Sequence, residues 1–429
     1  MSGKLLFQLP GHNPSQSEWQ PRGGNYIALA MDDNVKIWDR SGRVLWDQRA
    51  KRAHIKWDYE GQYLAVIQQK MHSCKYKQVI LRYIHFFLVL VFPLSTKRSQ
   101  TIEFELKDNL TIQAWSKIQN TLAVGTAKGS LILVDFKTDQ KLPILGKHGK
   151  KITQLVWSKS NLIGVGSIDG AITINNDHGD TIHAQKLRSE PIALKFGAMK
   201  SDTKVHEEDT ISCLLEQEVI FLWRFTTDEQ SELSFQAKYG KIVNYEWYGD
   251  GYLAIGFDSG RVIGVSTHMA EIGTEIFNIE DHSDFLSSMK ITTDMSKLVT
   301  TGEGSVRIHT TANMKVVDQI IPIEDDTAGG FRDVALSDSG NLVAACSNNG
   351  TLYVYLTELN VLGASCSNRL AFLSSLNEVT LFETGSAKND TKKIQLKMEP
   401  TFLGLGPYHF CSGMNNRSGG FSKCILGLC

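Results

Sequence analysis

The sequence is poor in the features that mark an enzyme, a secreted protein or a membrane protein. It has no GxxxxGK[ST] phosphate loop, no GxSxG nucleophile elbow and no HExxH pair, and His206-Glu207 lacks the second histidine one helical turn on that a zinc-binding pair needs. His178 and His183 flank a turn, and the lone Gly404-Leu-Gly406 runs straight into Pro407, so neither carries a specific signal. Nothing in these patterns calls for a metal or a cofactor. Charge of one sign is also missing: 45 Lys and Arg against 46 Asp and Glu leave a formal net charge of −1. A generic nucleic-acid or membrane-surface binder would carry a basic excess, so neither partner is expected. No CxxC pair occurs among the seven cysteines, and Cys213 and Cys346 fall in apolar strand runs where a thiol serves as a small buried hydrophobe. The opening MSGKLLFQLPGH lacks the charged start and apolar core of a signal peptide. These absences point to a reducing compartment, in which the sequons at Asn109, Asn349, Asn389 and Asn416 go unused. No long hydrophobic run is present either. The most apolar stretch, Val79 to Phe92, is interrupted by Arg82 and His85 and is shorter than the roughly twenty residues of a membrane-spanning helix.

What the chain does have is a repeat. Asn25 to Gly42, NYIALAMDDNVKIWDRSG, reads as a hairpin in which two apolar runs flank Asp32-Asp33-Asn34, residues that tolerate the positive φ of a tight turn. A strand ending in Trp19 precedes it and Arg43-Val-Leu-Trp46 follows, making a unit of about four short strands, the size of one propeller blade. Copies open at Trp57, Trp115, Trp157 and Trp247, while three further units carry smaller apolar residues in place of the tryptophan. Trp19 to Trp57 is 38 residues, Trp115 to Trp157 is 42, and Trp157 to Trp247 is 90, or two units of 45, all consistent with a propeller repeat of about 40–45 residues. Trp57 to Trp115 is 58, so some fifteen extra residues lie within the second unit. The acidic residues fall mostly in turns, at Asp32, Asp169, Asp250, Asp258 and Asp338, where they are expected to satisfy local backbone donors.

The expected architecture is therefore all-β: a WD40-like β-propeller of seven or eight blades over residues 1–360, followed at 361–429 by the incomplete start of a second propeller. Lys4 to Leu9 alternates as a strand should and is expected to pair with the last blade and close the ring. Lys200 to Asp209 reads as a solvated loop. In the second unit, about residues 71–100 form an apolar insertion. Thr101 to Leu106 alternates as an outer strand, which leaves the third strand to come from within Gln78 to Phe92. A strand of five or six residues would use only part of that run, leaving large apolar side chains exposed and the segment an aggregation hazard.

The links between units carry the candidate partner surface. Lys51 and Arg52 lie in the link into unit two, and Lys147, His148, Lys150 and Lys151 in the link into unit four. Glu280 and Asp281 lie in the link into unit seven, and Glu324, Asp325 and Asp326 in the link into unit eight. Equivalent links share one face of a propeller, which predicts a face basic on one side of the channel and acidic on the other. It can serve as a polar docking surface or be no more than scattered solvated loops.

Several longer strings resemble a known family. GKHGKKITQLVW from Gly146, RSEP at Arg188, NYEWYGDGYLAIGFDSG from Asn244, STH at Ser266, LGASCSNRLAFLSSLNEVT from Leu362 and GMNNR at Gly413 are similar to the amino-terminal part of the WD repeat-containing protein 19 family. They are more specific than the WD signature itself, of which Ile37-Trp38-Asp39 survives intact. That resemblance implies a subunit of intraflagellar transport complex A, the adaptor that carries cargo back from the ciliary tip with the dynein-2 motor. It thus implies a non-enzymatic scaffold whose partners are other subunits of that complex and ciliary cargo, located in the cytoplasm, at the ciliary base and in the cilium. The sequence departs from the family at about 71–100 and after Arg417, departures expected of intron-derived or splice-variant sequence. A vesicle-coat or ubiquitin-ligase adaptor is the alternative within the same structural class, and a propeller hydrolase the alternative outside it.

Overall fold

The computed structural model describes residues 3–71, 85–96, 100–103, 108–136, 138, 140–199, 208–323, 329–359, 361–383, 391–396, 400–407, 409–413 and 425–428. The chain divides into two compact units, Met1–Tyr355 and Leu356–Cys429. In the first, eight antiparallel sheets of four strands follow one another. Their innermost strands are Gln16–Trp19, His54–Trp57, Leu110–Trp115, Ile152–Trp157, Ile192–Gly197, Ile242–Tyr248, Leu286–Ile291 and Phe331–Leu336. The eighth lies beside the first, so the sheets form a closed eight-bladed β-propeller.

A blade is covered on both faces by its neighbours, and its middle strands accordingly read as continuous apolar runs. Thr121–Thr126 and Thr210–Leu215 are buried along their whole length, whereas the outermost strand Gln140–Ile144 is largely exposed. The repeating tryptophans tie one blade to the next. Each closes an innermost strand and donates its indole N–H to the preceding blade: Trp57 to the Glu18 carbonyl (3.3 Å), Trp115 to Lys56 (3.1 Å) and Trp157 to Ala114 (3.0 Å). In each case the acceptor precedes the equivalent residue of the neighbouring blade. Trp247 instead donates to Ser212 Oγ (2.9 Å), which in turn donates to the Lys195 carbonyl of the fifth blade's inner strand (3.2 Å). A Cβ at Gly197 would overlap the Trp247 indole.

Lys4–Leu9 is hydrogen-bonded beside Leu352–Leu356 as the outermost strand of the eighth sheet. The seam is fastened further by the Asn13 N–H, which donates to the Gly350 carbonyl at 2.8 Å, and by Asp338. This carboxylate accepts from the Arg22 N–H of the first blade (2.5 Å) and from Thr293 Oγ1 of the seventh (2.9 Å), joining three blades. Asp338 was expected to satisfy its own turn; it serves neighbouring ones. Asp258 likewise accepts from the Lys241 N–H in the preceding link at 2.9 Å, whereas Asp169 stays local, accepting from Ser167 Oγ at 2.6 Å.

The second sheet differs from expectation in strand length. Its second and third strands, Tyr63–Met71 and His85–Pro93, are nine residues each and pair in unbroken antiparallel register, from Tyr63 opposite Pro93 to Met71 opposite His85. Val89, Leu90, Val91 and Phe92 are buried, and Phe92 packs on Trp46 of the first blade with ring centroids 4.8 Å apart. This part of the apolar run is blade core, not surplus, because a strand can run as long as its partner offers a ladder. Residues 79–84 lie outside the described residues.

The second unit holds a four-stranded sheet over 363–395 and a three-stranded sheet over 402–428. Ala371, Leu373, Val379, Leu381, Leu396 and Phe410 form its core.

Candidate interaction surface

In a four-stranded antiparallel blade, the turn after the second strand and the link after the fourth emerge at the same end. All the inter-blade links therefore share one face with the second-to-third-strand turns. Lys51 and Arg52 occupy the link from the first blade to the second, both exposed, with Arg52 at φ 44° and Lys51 Nζ 3.9 Å from Asp33. Lys150 and Lys151 are exposed in the link to the fourth blade, and neither has an ion-pair partner among the described residues. Lys147 is half-buried, its Nζ donating to the Gly179 carbonyl and to Thr181 Oγ1, both at 2.6 Å. Burial presses its pKa down against the pull of Asp180. Glu280 is exposed in the link to the seventh blade, 3.7 Å from Arg261. Glu324, Asp325 and Asp326 lie outside the described residues.

Two expected surface residues are interior, and this corrects the charged face. His148 is 5% exposed. Its Nδ1 reaches Ser167 Oγ at 2.7 Å, its Nε2 reaches Thr173 Oγ1 at 3.0 Å, and Ser167 in turn donates to Asp169, which is paired with Lys186 at 2.9 Å. Burial pushes the imidazole down to about 4, against the pull of Asp169, so the ring is neutral at physiological pH. Asp281 is 2% exposed and accepts from Thr300 Oγ1 at 2.5 Å and from His309 Nε2 at 3.0 Å. Burial acts to raise its carboxyl, but the hydrogen bonds of His309 and Thr300 hold it below the usual range. The buried His282 beside it has its Nδ1 3.5 Å from Glu303 Oε2. The physical reason is common to both: the link turns inward before these two inner strands, and the residue reaching the middle strands must be polar to meet their hydroxyls.

A spacing in the sequence marks these positions. His148 and His282 each stand four residues before an inner strand, at Ile152 and Leu286; His12 has the same spacing before Gln16 but is only half-buried, its ring on the Pro10 carbonyl. The His148 and His282 N–H groups both donate to the glycine carbonyl of the preceding blade's turn, Gly129 and Gly260, at 2.9 Å.

Sequence reasoning passed over two apolar residues on the same face. Ile168, in the second-to-third-strand turn of the fourth blade, is 47% exposed, and Ile192, which opens the inner strand of the fifth, is 38% exposed. On the inner strands, the carboxylates Glu18 and Glu246 are each paired with a lysine, Lys56 and Lys195, across a blade boundary. Among the described residues no three His, Cys, Asp or Glu side chains converge as a metal site. No helix among them is long and apolar enough to cross a membrane. Cys213 and Cys346 are buried in their strands, and burial lifts the Cys213 thiol to about 12.

Residues 15–350 match the family described as WDR19 first beta-propeller, and residues 370–422 match WDR19 second beta-propeller. The chain is 37% identical to WD repeat-containing protein 19 of Mus musculus over 417 residues, covering 94% of this chain and 29% of the relative. The corresponding Homo sapiens protein is 35% identical over the same shares, and WD repeat-containing protein dyf-2 of Caenorhabditis elegans is 27% identical over 95% of this chain and 28% of its own length. The chain thus spans under a third of the length of these relatives. Among solved structures, the computationally designed Ika8 protein superposes with a TM-score of 0.62 at 17% identity, covering 82% of this chain and all of that one. A chain of the mitotic checkpoint complex gives 0.50 at 16% identity, with 71% and 90% covered. At those identities the likeness concerns the fold alone. The two propeller matches and the extended identity to the mouse and human proteins are decisive: the chain belongs to the family of WD repeat-containing protein 19.

Proposed function

We propose that this chain is a non-enzymatic scaffold, a subunit of the intraflagellar transport complex A adaptor that serves retrograde ciliary transport and cilium assembly, acting in the cytoplasm, at the ciliary base and in the cilium. The observation that carries the reading is the family match, which extends through the first propeller and into the second unit. The propeller supplies what a scaffold needs, a rigid ring presenting loops on two faces. Its contact surface is proposed to be the link-bearing face. In an eight-membered ring the links after the first and third blades, with Lys51, Arg52, Lys150 and Lys151, stand roughly opposite those after the sixth and seventh, with Glu280 and, by sequence, Glu324, Asp325 and Asp326. Such polarity would orient one partner rather than hold it tightly.

The test is affinity purification of the chain from ciliated cells followed by mass spectrometry, alongside a variant with Lys51, Arg52, Lys150 and Lys151 all changed to Glu. Recovery of transport-complex subunits, weakened by the charge reversal by about tenfold at low salt and little at high salt, is the expected result. Coat or ubiquitin-ligase subunits in their place overturn the reading. Recovery unaffected by the reversal at every ionic strength removes the charged face while leaving the scaffold.

A further inference from the structure

The inner strand of the fifth blade opens differently from those of five other blades. Their innermost strands open on an apolar residue that is buried: Leu110, Ile152, Ile242, Leu286 and Phe331 are all 7% exposed or less. In the fifth blade the buried residue at this start is Pro191, and Ile192 after it, paired with Leu214 instead of with the last residue of the second strand, is turned outward at 38% exposure. Next to it, Ala193 sits at φ 51°, a left-handed conformation that a residue with a Cβ adopts at a cost; the other five blades also bulge at the start of this strand, but without a positive φ there. Backbone strain that exposes an apolar side chain does nothing for the core; it is characteristic of a binding position. Ile168 breaks the pattern in a second way. The equivalent turn positions in the third, sixth and eighth blades carry Ala127, Asp258 and Asn348, and Met31 of the first is buried, so the fourth differs from these in exposing a large apolar side chain there. The Ile168 N–H is fixed by the Lys151 carbonyl at 3.0 Å, and Pro191, just before Ile192, packs at Gly166 in the strand leading into that turn. The two isoleucines therefore stand on adjoining parts of one rim. On one side of them are the exposed Lys150 and Lys151, without an ion-pair partner among the described residues, and on the other the exposed turn residues Glu216 and Glu218.

We infer that this rim is a docking site for an extended peptide segment of a partner protein, with an apolar anchor side chain on Ile168 and Ile192 and an acidic stretch over Lys150 and Lys151. The inference rests on the scaffold reading and adds to it the chemistry and direction of one partner segment. Charge complementarity selects the acidic stretch, and Glu216 and Glu218 fix its direction, since they repel acidic residues beyond the anchor. The same two glutamates disfavour a lipid surface, whose phosphates would meet them across the rim.

The test is fluorescence polarisation of the full chain with synthetic dodecapeptides. The probe has four Asp or Glu residues followed by a Leu- or Phe-containing half; controls have the acidic half replaced by Lys, the apolar residues replaced by Ser, or the two halves in reverse order. The acidic–apolar peptide is expected to bind, and each control to bind more weakly by about tenfold, the worth of one well-placed anchor or charge pair. Ile192→Ser and Ile168→Ser are expected to reduce binding by a similar factor at all salt concentrations. The Lys150→Glu, Lys151→Glu double variant should do so chiefly at low salt, and, lying wholly on the surface, it keeps the test open if an isoleucine variant fails to fold. Equal binding of the charge-reversed peptide, or wild-type binding by all the variants, overturns the site. Preferential capture by vesicles containing phosphatidylserine overturns the peptide assignment. If the peptides fail while transport subunits are still recovered with the chain, the docking site falls and the scaffold stands; loss of both removes the scaffold.

Discussion

His148 is held at both ring nitrogens inside the fourth blade, and its neutrality has a measurable consequence. Its pKa falls from 6.5 to about 4 on folding, so the unfolded chain takes up the proton first as the solution is acidified. The stability this residue contributes is complete above pH 6.5 and drains away as the pH falls toward 4, amounting to about 2 kcal/mol by pH 5. His54, also pushed to about 4 by burial, acts with the same sign. Urea unfolding at pH 7 and pH 5 should therefore show a lower midpoint at the acidic value, and His148→Gln, though less stable at pH 7, should show a shallower slope between them. An identical slope in that variant would dissociate His148 from the acid sensitivity. At this scale the sequence was readable where a residue's type settles its fate, as for the buried Cys213 and Cys346. It misled at His148 and Asp281, because a charged or polar residue in a link has two destinations, water or the hydroxyls of the neighbouring strands, and only the path of the link chooses between them.

The element whose reading changed most is the third strand of the second blade, His85–Pro93. Alternation in TIEFEL correctly placed an outermost strand nearby, found at Gln100–Glu103, and required a third strand from the apolar run. Strand length was not readable, since it depends on how far the partner Tyr63–Met71 extends its ladder. The consequence is that Phe92, fully buried and packed on Trp46, belongs to the interface between the first two blades. Phe92→Ala should cost about 3–5 kcal/mol in chemical denaturation, the usual loss for emptying a buried aromatic site. A cost below about 1 kcal/mol, the level of a surface substitution, would return the run to the status of an insertion.

At the scale of the whole molecule the ring depends on the first few residues. Lys4–Leu9 occupies the edge of the eighth sheet, and Asn13 and Asp338 fasten the seam between the last blade and the first. The seam needs these ties because Trp19, the tryptophan of the first blade, has its buried indole N–H without an acceptor, unlike Trp57, Trp115 and Trp157. Deleting residues 1–9 should bare the Leu352–Leu356 edge, lower the melting temperature by about 5 °C or more and promote association through the open edge. Light scattering alongside thermal unfolding checks this, and a truncated chain that stays monomeric with an unchanged transition would show that the seam closes without the strand.

By itself the sequence determined the repeat: the tryptophan period, the turn residues between apolar runs and the alternation of Lys4–Leu9 are local patterns, each enforced by the geometry of a single strand or hairpin. The family strings were likewise legible as sequence. Only the tertiary structure decided that the blades number eight, that Trp indoles and Asp338 link neighbouring blades, and that His148 and Asp281 face inward while Ile192 faces out. Those outcomes depend on contacts between residues far apart in sequence: a repeat or more for the Trp and Asp338 links, and 19 to 28 residues within one blade for His148 and Asp281. The same residue type at the same place in the repeat meets a different neighbour in each blade, and it is the neighbour that decides.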